Sequence, residues 1–191
     1  FIVEGKSIVI SAPSGAGKTT IVNFVLDKIH NIEFSVSACN RRQRPGEVDG
    51  KNYHFLSTSD FQEKINKGLF LEWEEVYQDQ YYGTLISSVS TVWEKGKHII
   101  FDIDVKGGLN IKNKFLDNCI SIFIMPPSVE ELKSRLLKRG TEEDNSLKYR
   151  IQKFEEEINY KDQFDFVIVN DNLELACDEV LNLITDFLNK S

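Results

Sequence analysis

The sequence predicts an α/β fold, with a parallel β-sheet and helices on both of its faces. Three observations predict it. Short runs rich in Ile, Val and Phe at residues 8–11, 98–104, 120–125 and 166–169 read as buried strands. The segments between them carry apolar residues at helical spacing. The first run also passes through a loop of small residues straight into an amphipathic segment. Strands that alternate with helices pack as a parallel sheet, because right-handed crossovers lay the helices on its faces.

The first element is Ile8-Val9-Ile10, followed by Ser11-Ala12-Pro13-Ser14-Gly15-Ala16-Gly17-Lys18-Thr19-Thr20. This is the strand–loop–helix setting of a phosphate-binding P-loop. Gly15 and Gly17 can turn successive N–H groups into one concavity, and the helix that follows adds its positive end. Ser14, Gly15, Ala16, Gly17, Lys18, Thr19 and Thr20 are the candidate ATP-binding residues, with Lys18 reaching the β/γ-phosphates and Thr19 ligating Mg²⁺. The pattern departs from G-x-x-x-x-G-K-[ST] at its first position, where Ala12 stands.

Ile21, Val22, Val25, Leu26 and Ile29 then predict a helix over residues 17–30. Phe34–Ala38 alternates like a strand, Pro45-Gly46 and Asp49-Gly50 supply turns, and Asn52–Leu56 reads as another strand. Residues Ser57–Asp60 can cap a helix over Phe61–Lys67 that ends at Gly68. The stretch 69–84 is aromatic and acidic. His98–Asp104 ends in carboxylates, as a strand carrying a Mg²⁺-ordering Asp would, and Asp102 is the candidate, acting through a bound water.

After the strand Ile120–Met125, Pro126-Pro127-Ser128 opens a helix, with Ser128 and Glu131 at capping-box spacing. Arg135 and Arg139 are four apart and share a face of it. Gly140 ends that helix, Thr141–Ser146 is expected to form a mobile tip, and Leu147, Ile151, Phe154 and Ile158 carry a second helix that includes Arg150. Two helices that join at a polar tip and bear three arginines suggest a lid over a nucleotide. The strand Phe166–Val169 leads through Asn170-Asp171 to a final helix marked by Ala176, Val180, Leu183, Ile184 and Phe187.

With 191 residues the chain suits one domain with insertions, and no apolar run approaches membrane-spanning length. A net charge of −7 argues against a nucleic-acid polymer as partner. Of the 23 basic residues only six are Arg, and they fall in two windows, Arg41, Arg42 and Arg44, then Arg135, Arg139 and Arg150. Arg offers a planar fork that suits phosphate, whereas Lys is a hydrated point charge, so the two windows read as two anion clamps. Cys39, Cys119 and Cys177 have neither metal-ligand spacing nor a disulfide framework, and a reducing cytoplasm is expected. His30, His54 and His98 are isolated and read as surface or core residues. The first residues carry no signal-peptide pattern, and the missing initiator Met is expected where the N-terminus lies upstream of Phe1.

Taken together, the chain resembles the guanylate kinase family from about Lys6 to Phe187. The resemblance rests on Ser11–Thr19, Phe34-Ser35-Val36-Ser37, Arg41 and Arg44 with Pro45-Gly46-Glu47, and Gly50–Phe55. It rests further on Phe70–Trp73, Tyr81–Thr84, Asp102–Asp104, the segment from Arg135 to Thr141, and Ile168–Asp171. Asn40, Gln43 and Lys106 depart from the family's pattern. The resemblance implies transfer of the γ-phosphoryl of ATP to GMP with Mg²⁺. It also implies a core of about residues 1–34, 89–127 and 159–191, a GMP-binding insertion of about 35–88 and a lid of about 128–158, with closure over both substrates.

The family's roles fall on Arg41, Arg44, Tyr53 and Tyr82 for the GMP phosphate. They fall on Glu72, Ser37, Thr84 and Asp104 for guanine, on Lys18, Arg135, Arg139 and Arg150 for the migrating phosphoryl group, and on Asn170 for the adenine side. Two alternatives stay open at this point: a catalytically silent relative that binds protein, and a kinase for another small phosphate acceptor. Tolerance of dGMP and the oligomeric state are not legible.

Overall fold

The computed structural model describes residues 5–138 and 144–190. β1 (Ser7–Ser11) leads into α1 (Lys18–Lys28), and the short strands β2 (Ile32–Phe34), β3 (Ala38–Cys39) and β4 (His54–Phe55) follow. α2 (Thr58–Asn66) starts where the Ser57 hydroxyl accepts the Asp60 N–H at 3.0 Å, and the hairpin of β5 (Phe70–Tyr77) and β6 (Gln80–Leu85) comes next. The chain continues through α3 (Ile86–Glu94), β7 (His98–Asp102), α4 (Val105–Phe115) and β8 (Cys119–Met125). Then come α5 (Val129–Lys138), α6 (Asp144–Ile158), β9 (Phe166–Val169) and α7 (Leu173–Asn189).

A five-stranded sheet has the order β2-β7-β1-β8-β9, and β8 runs parallel to both β1 and β9. Every residue of β1, and Cys119–Ile124 of β8, is buried. Successive side chains of a strand point to opposite faces, so strands buried at every position are covered on both. That is the α/β architecture expected from the sequence.

The chain divides into two compact units, Phe1–Lys6 with Asn31–Ile99, and Ser7–His30 with Ile100–Ser191. In the first unit a second sheet has the order β4-β3-β6-β5. Phe61 of α2 is fully buried there, with ring centroids 4.4 Å from Phe70 and 5.6 Å from Tyr81, and Trp73 meets Tyr81 edge-on at 6.1 Å. A register shift between Phe70 and Glu72 brings Phe70 to the same face of the hairpin as Trp73 and Tyr81. The opposite face therefore carries Glu72, Glu74, Tyr82 and Thr84, paired Glu72 with Thr84 and Glu74 with Tyr82.

In the second unit α4 packs on β1 and β8, and α1 on α7. Gly108 makes the first contact possible, because a Cβ there would stand 2.9 Å from Val9 Cγ1 and 2.5 Å from Ser11 Oγ. α5 and α6 share a cluster of Leu132, Leu136 and Phe154.

Three expectations change. Phe34–Ala38 is not one strand: pairing stops at Phe34 and resumes at Ala38. The strand expected at 98–104 ends at Asp102, since Asp104 instead caps α4, its carboxylate accepting the Gly107 N–H at 2.9 Å. The helix expected between this strand and the next is α4, which begins at Val105 and takes in Gly107 and Gly108. The expected tip at Thr141–Ser146 gives way to helix from Asp144 onward, while Arg139 to Glu143 lie outside the described residues.

Candidate active site

The phosphate loop is built by the second unit. Gly15 (φ 92°) and Gly17 (φ 96°) take the left-handed conformation that a Cβ disfavours. Ala12 is buried and does not share that conformation, which is why Ala can stand where the common pattern has Gly. The Ala16 N–H donates to the Pro13 carbonyl at 3.1 Å, closing the loop before α1 begins. Gly17 also has no room for a Cβ, because the Asn170 amide occupies that space.

Lys18 lies in an acceptor-rich corner. Its ammonium donates to the Ile103 carbonyl at 2.9 Å and pairs with Asp102 Oδ1 at 2.7 Å. The Thr19 hydroxyl donates to Asp102 Oδ2 at 3.4 Å, so one carboxylate touches both P-loop side chains. The two described arginines of the second window are held close by. Arg150 Nη1 donates to Ser14 Oγ at 2.9 Å, while Arg135 donates to Glu131 at 2.8 Å and to the Asn170 carbonyl at 2.9 Å. Arg139 lies outside the described residues. Asn170 is 4% exposed, and its amide donates to the Ala16 carbonyl at 2.8 Å. It thus ties the end of β9 to the P-loop and carries Arg135 on its own carbonyl. Thr20 is exposed, and the Asp104 carboxylate is engaged as the α4 cap.

The first unit assembles the other cluster. The Arg41 guanidinium lies 4.9 Å from the Tyr53 ring centroid and 5.5 Å from that of Phe55, and the Tyr53 and Tyr82 rings meet edge-on at 5.9 Å. Burial pushes the Tyr82 phenol up, against the pull of Arg41 to which it is hydrogen-bonded. Glu47 grips Arg41 with both oxygens, at 2.6 and 2.7 Å, and accepts the Arg44 N–H at 2.8 Å. The Arg41 hydrogen bond, then that of Arg44, holds the Glu47 carboxyl down at about 2. The Arg44 side chain is exposed, and Ser37 is half-buried with its carbonyl accepting the His54 N–H at 2.9 Å. Glu72 is 7% exposed and Thr84 fully buried, with Thr84 Oγ1 lacking a hydrogen-bond partner among the described residues.

A family model for guanylate kinase matches residues 4–187. A guanylate kinase of Bacteroides thetaiotaomicron is 50% identical over 188 residues, covering 98% of this chain and 92% of that protein. One from Chlorobium chlorochromatii is 48% identical and covers 97% of each chain. The chain belongs to the guanylate kinase family. The crystal structure of guanylate kinase from Anaplasma phagocytophilum agrees in fold, with a TM-score of 0.78 at 30% identity over 99% of this chain and 89% of that one. The activity is accordingly that of a GMP kinase, a nucleoside-monophosphate kinase that transfers phosphoryl groups in an ATP-dependent reaction. The silent-scaffold and other-acceptor alternatives give way to it.

The contacts of three residues escaped sequence reading. Asn40, noted only as a departure from the family pattern, donates to Thr58 Oγ1 at 2.9 Å and to the Asp79 carbonyl at 2.8 Å, and accepts the Tyr81 N–H at 2.7 Å. Glu47 lay inside a quoted motif without a role. Glu157 sits on α6 with its carboxyl pushed up, first by burial and next against the pull of Lys153, with Asp104 and Lys18 also felt. Its position three residues after Phe154, on the apolar stripe of the helix, was the signal that could have found it.

Proposed function

We propose that the first unit binds GMP and that the P-loop and lid arginines bind the ATP triphosphate, with Mg²⁺ as cofactor. In this division the core spans about residues 1–34, 89–127 and 159–191, the acceptor-binding insertion about 35–88 and the lid about 128–158. The buried Glu72–Thr84 pair carries the assignment of GMP. Guanine presents N1–H and a 2-amino group, both donors that a carboxylate accepts, and its O6 suits a hydroxyl donor such as Thr84 or Ser37. Adenine has a bare N1 acceptor at the same edge, which would leave the carboxylate facing a lone pair. An unsatisfied buried charge costs several kcal/mol, enough for strong discrimination. Asn170 serves the adenine side through its hold on the P-loop, while the Asp104 carboxylate holds the start of α4.

Arg41 and Arg44, with the phenols of Tyr53 and Tyr82, neutralise the GMP phosphate, for which guanidinium forks are well matched. That phosphate is already an anionic nucleophile, so no general base is needed. What remains is to align two anions, offset their repulsion and exclude water. Lys18 spends two of its three N–H donors on Ile103 and Asp102, and the third serves the β/γ-phosphates. Arg135, Arg139 and Arg150 stabilise charge on the migrating phosphoryl group.

The donor set fits Mg²⁺. Hard oxygens from Thr19 and Asp102 stand together, and among the described residues there is no group of three or more His, Cys, Asp or Glu that would make an all-protein cage. Mg²⁺ characteristically keeps water and phosphate ligands rather than a protein cage, with Asp102 reaching it through water. When bound it supplies charge neutralisation at the triphosphate. The three cysteines are free and buried, in keeping with a reducing cytoplasm, and no helix among the described residues is long and apolar enough to cross a membrane.

The test is a panel of nucleoside monophosphates with ATP and Mg²⁺, with product identification. GDP formation from GMP at kcat/KM at least about 100-fold above AMP, UMP and CMP is expected from a charged-group mismatch of this kind. Comparable turnover of AMP would overturn the guanine assignment.

A further inference from the structure

We propose that Glu47 is the positioning residue of the acceptor-phosphate clamp: it fixes one end of the Arg41 guanidinium so that the other edge is presented to the phosphate of GMP. This rests on the assignment of Arg41 to the acceptor phosphate and adds a residue to it.

A guanidinium has five N–H donors in one plane. Arg41 Nη1 gives one hydrogen to Glu47 Oε2 at 2.7 Å and the other to the Arg42 carbonyl at 3.0 Å, and Nη2 gives one to Glu47 Oε1 at 2.6 Å. Outside these contacts lie the Nε–H and the second Nη2–H, side by side on a single edge, and the Tyr82 phenol is hydrogen-bonded to the same guanidinium. Two parallel donors on one edge match two phosphate oxygens. Glu47 therefore takes the end of the fork and leaves its side.

Two further observations make Glu47 a strut rather than a rival anion. Its Oε2 also accepts the Arg44 N–H at 2.8 Å, and its backbone carbonyl accepts from the Gln43 side chain, so both the carboxylate and the backbone of Glu47 are tied to the loop. Arg41 is only 10% exposed on its side chain and is packed against the Tyr53 and Phe55 rings. A guanidinium so enclosed needs a counter-charge to stay there, and without one it is drawn to solvent. Glu47 supplies it before GMP arrives, and binding then does not have to order the arginine.

The test compares kcat and both KM values, with GMP dissociation constants by calorimetry, for Glu47→Gln, Glu47→Asp, Arg41→Ala and the Arg41→Ala/Glu47→Gln double variant. Losing a charge-assisted contact of this kind should raise KM for GMP about tenfold in Glu47→Gln, with KM for ATP within about twofold and kcat within about threefold. Glu47→Asp, which keeps the carboxylate on a shorter stem, should recover part of the loss. Adding Glu47→Gln to Arg41→Ala should change KM for GMP no further, because the partner through which Glu47 acts is gone. An unchanged or lower KM for GMP in Glu47→Gln overturns the proposal, as does an equal rise in both KM values or a full additive effect in the double variant. If Arg41→Ala itself leaves KM for GMP untouched, the acceptor-clamp assignment fails. If Arg41→Ala raises it and Glu47→Gln does not, only the role of Glu47 fails.

Discussion

Glu72 shows how much a single side chain depends on its strand. Alternation places it and Thr84 on one face of a hairpin whose other face is filled by Phe70, Trp73 and Tyr81. Exchanging its carboxylate for an amide keeps the shape and replaces an acceptor by a donor, which suits the N1 lone pair of adenine better than the N1–H of guanine. Glu72→Gln should lower the GMP-to-AMP ratio of kcat/KM by about tenfold or more, measured with ATP held saturating. An unchanged ratio would mean that the base is read elsewhere. At this scale the sequence was legible where a residue's chemistry stands alone. Lys18 and Arg41 announce themselves by type and neighbours, since an isolated Gly-Lys-Thr or an Arg cluster in a Lys-using chain has few other uses. Glu47, Asn40 and Glu157 were silent, because their value comes from which partner the fold brings within 3–4 Å, and an acidic or amide side chain in a polar loop or helix has many solvated alternatives.

Among the elements, α6 carries a tension that can be measured. Glu157 lies on its inward stripe with a carboxyl raised chiefly by burial, and Lys153 at 3.7 Å offsets only part of that. A carboxyl raised in the folded state favours folding at pH below its unfolded value of about 4.5 and loses that contribution as pH rises through the folded value. Glu157→Gln should therefore raise Tm at pH 7 and leave it nearly unchanged at pH 4, by thermal unfolding at the two pH values. A drop at pH 7 would mean that the Lys153 pair outweighs burial. In the other unit α2 is fastened by Phe61, so Phe61→Ala should cost about 3–5 kcal/mol in denaturant unfolding. A loss under about 1 kcal/mol would show that Phe70 and Tyr81 close over the gap. Elements with a strong period or a cap were readable, as at α1, α2 and β8. The interruption between β2 and β3 was not, because Ser and Val alternate there as a strand would while no partner strand runs alongside. α4 was expected between two strands although its glycines weaken helix propensity, and the close approach of Gly108 to Val9 explains why one of them stands there.

For the whole molecule the central feature is two separate sets of cations in a chain of net charge −7. Arg41 and Arg44 belong to one compact unit, while Lys18, Arg135 and Arg150 belong to the other. Rationing of arginine to two windows was visible in the sequence. That the windows belong to different parts of the fold came only from the family resemblance, and the boundary itself was not visible, since β7 passes from one unit to the other within a single strand. The most direct measurement is a crossed calorimetric titration of Arg41→Ala and Lys18→Ala with GMP and with ATP. Arg41→Ala should weaken GMP binding about tenfold or more and leave ATP within about twofold, and Lys18→Ala should do the reverse. Equal weakening of both nucleotides by either substitution would contradict two independent clamps.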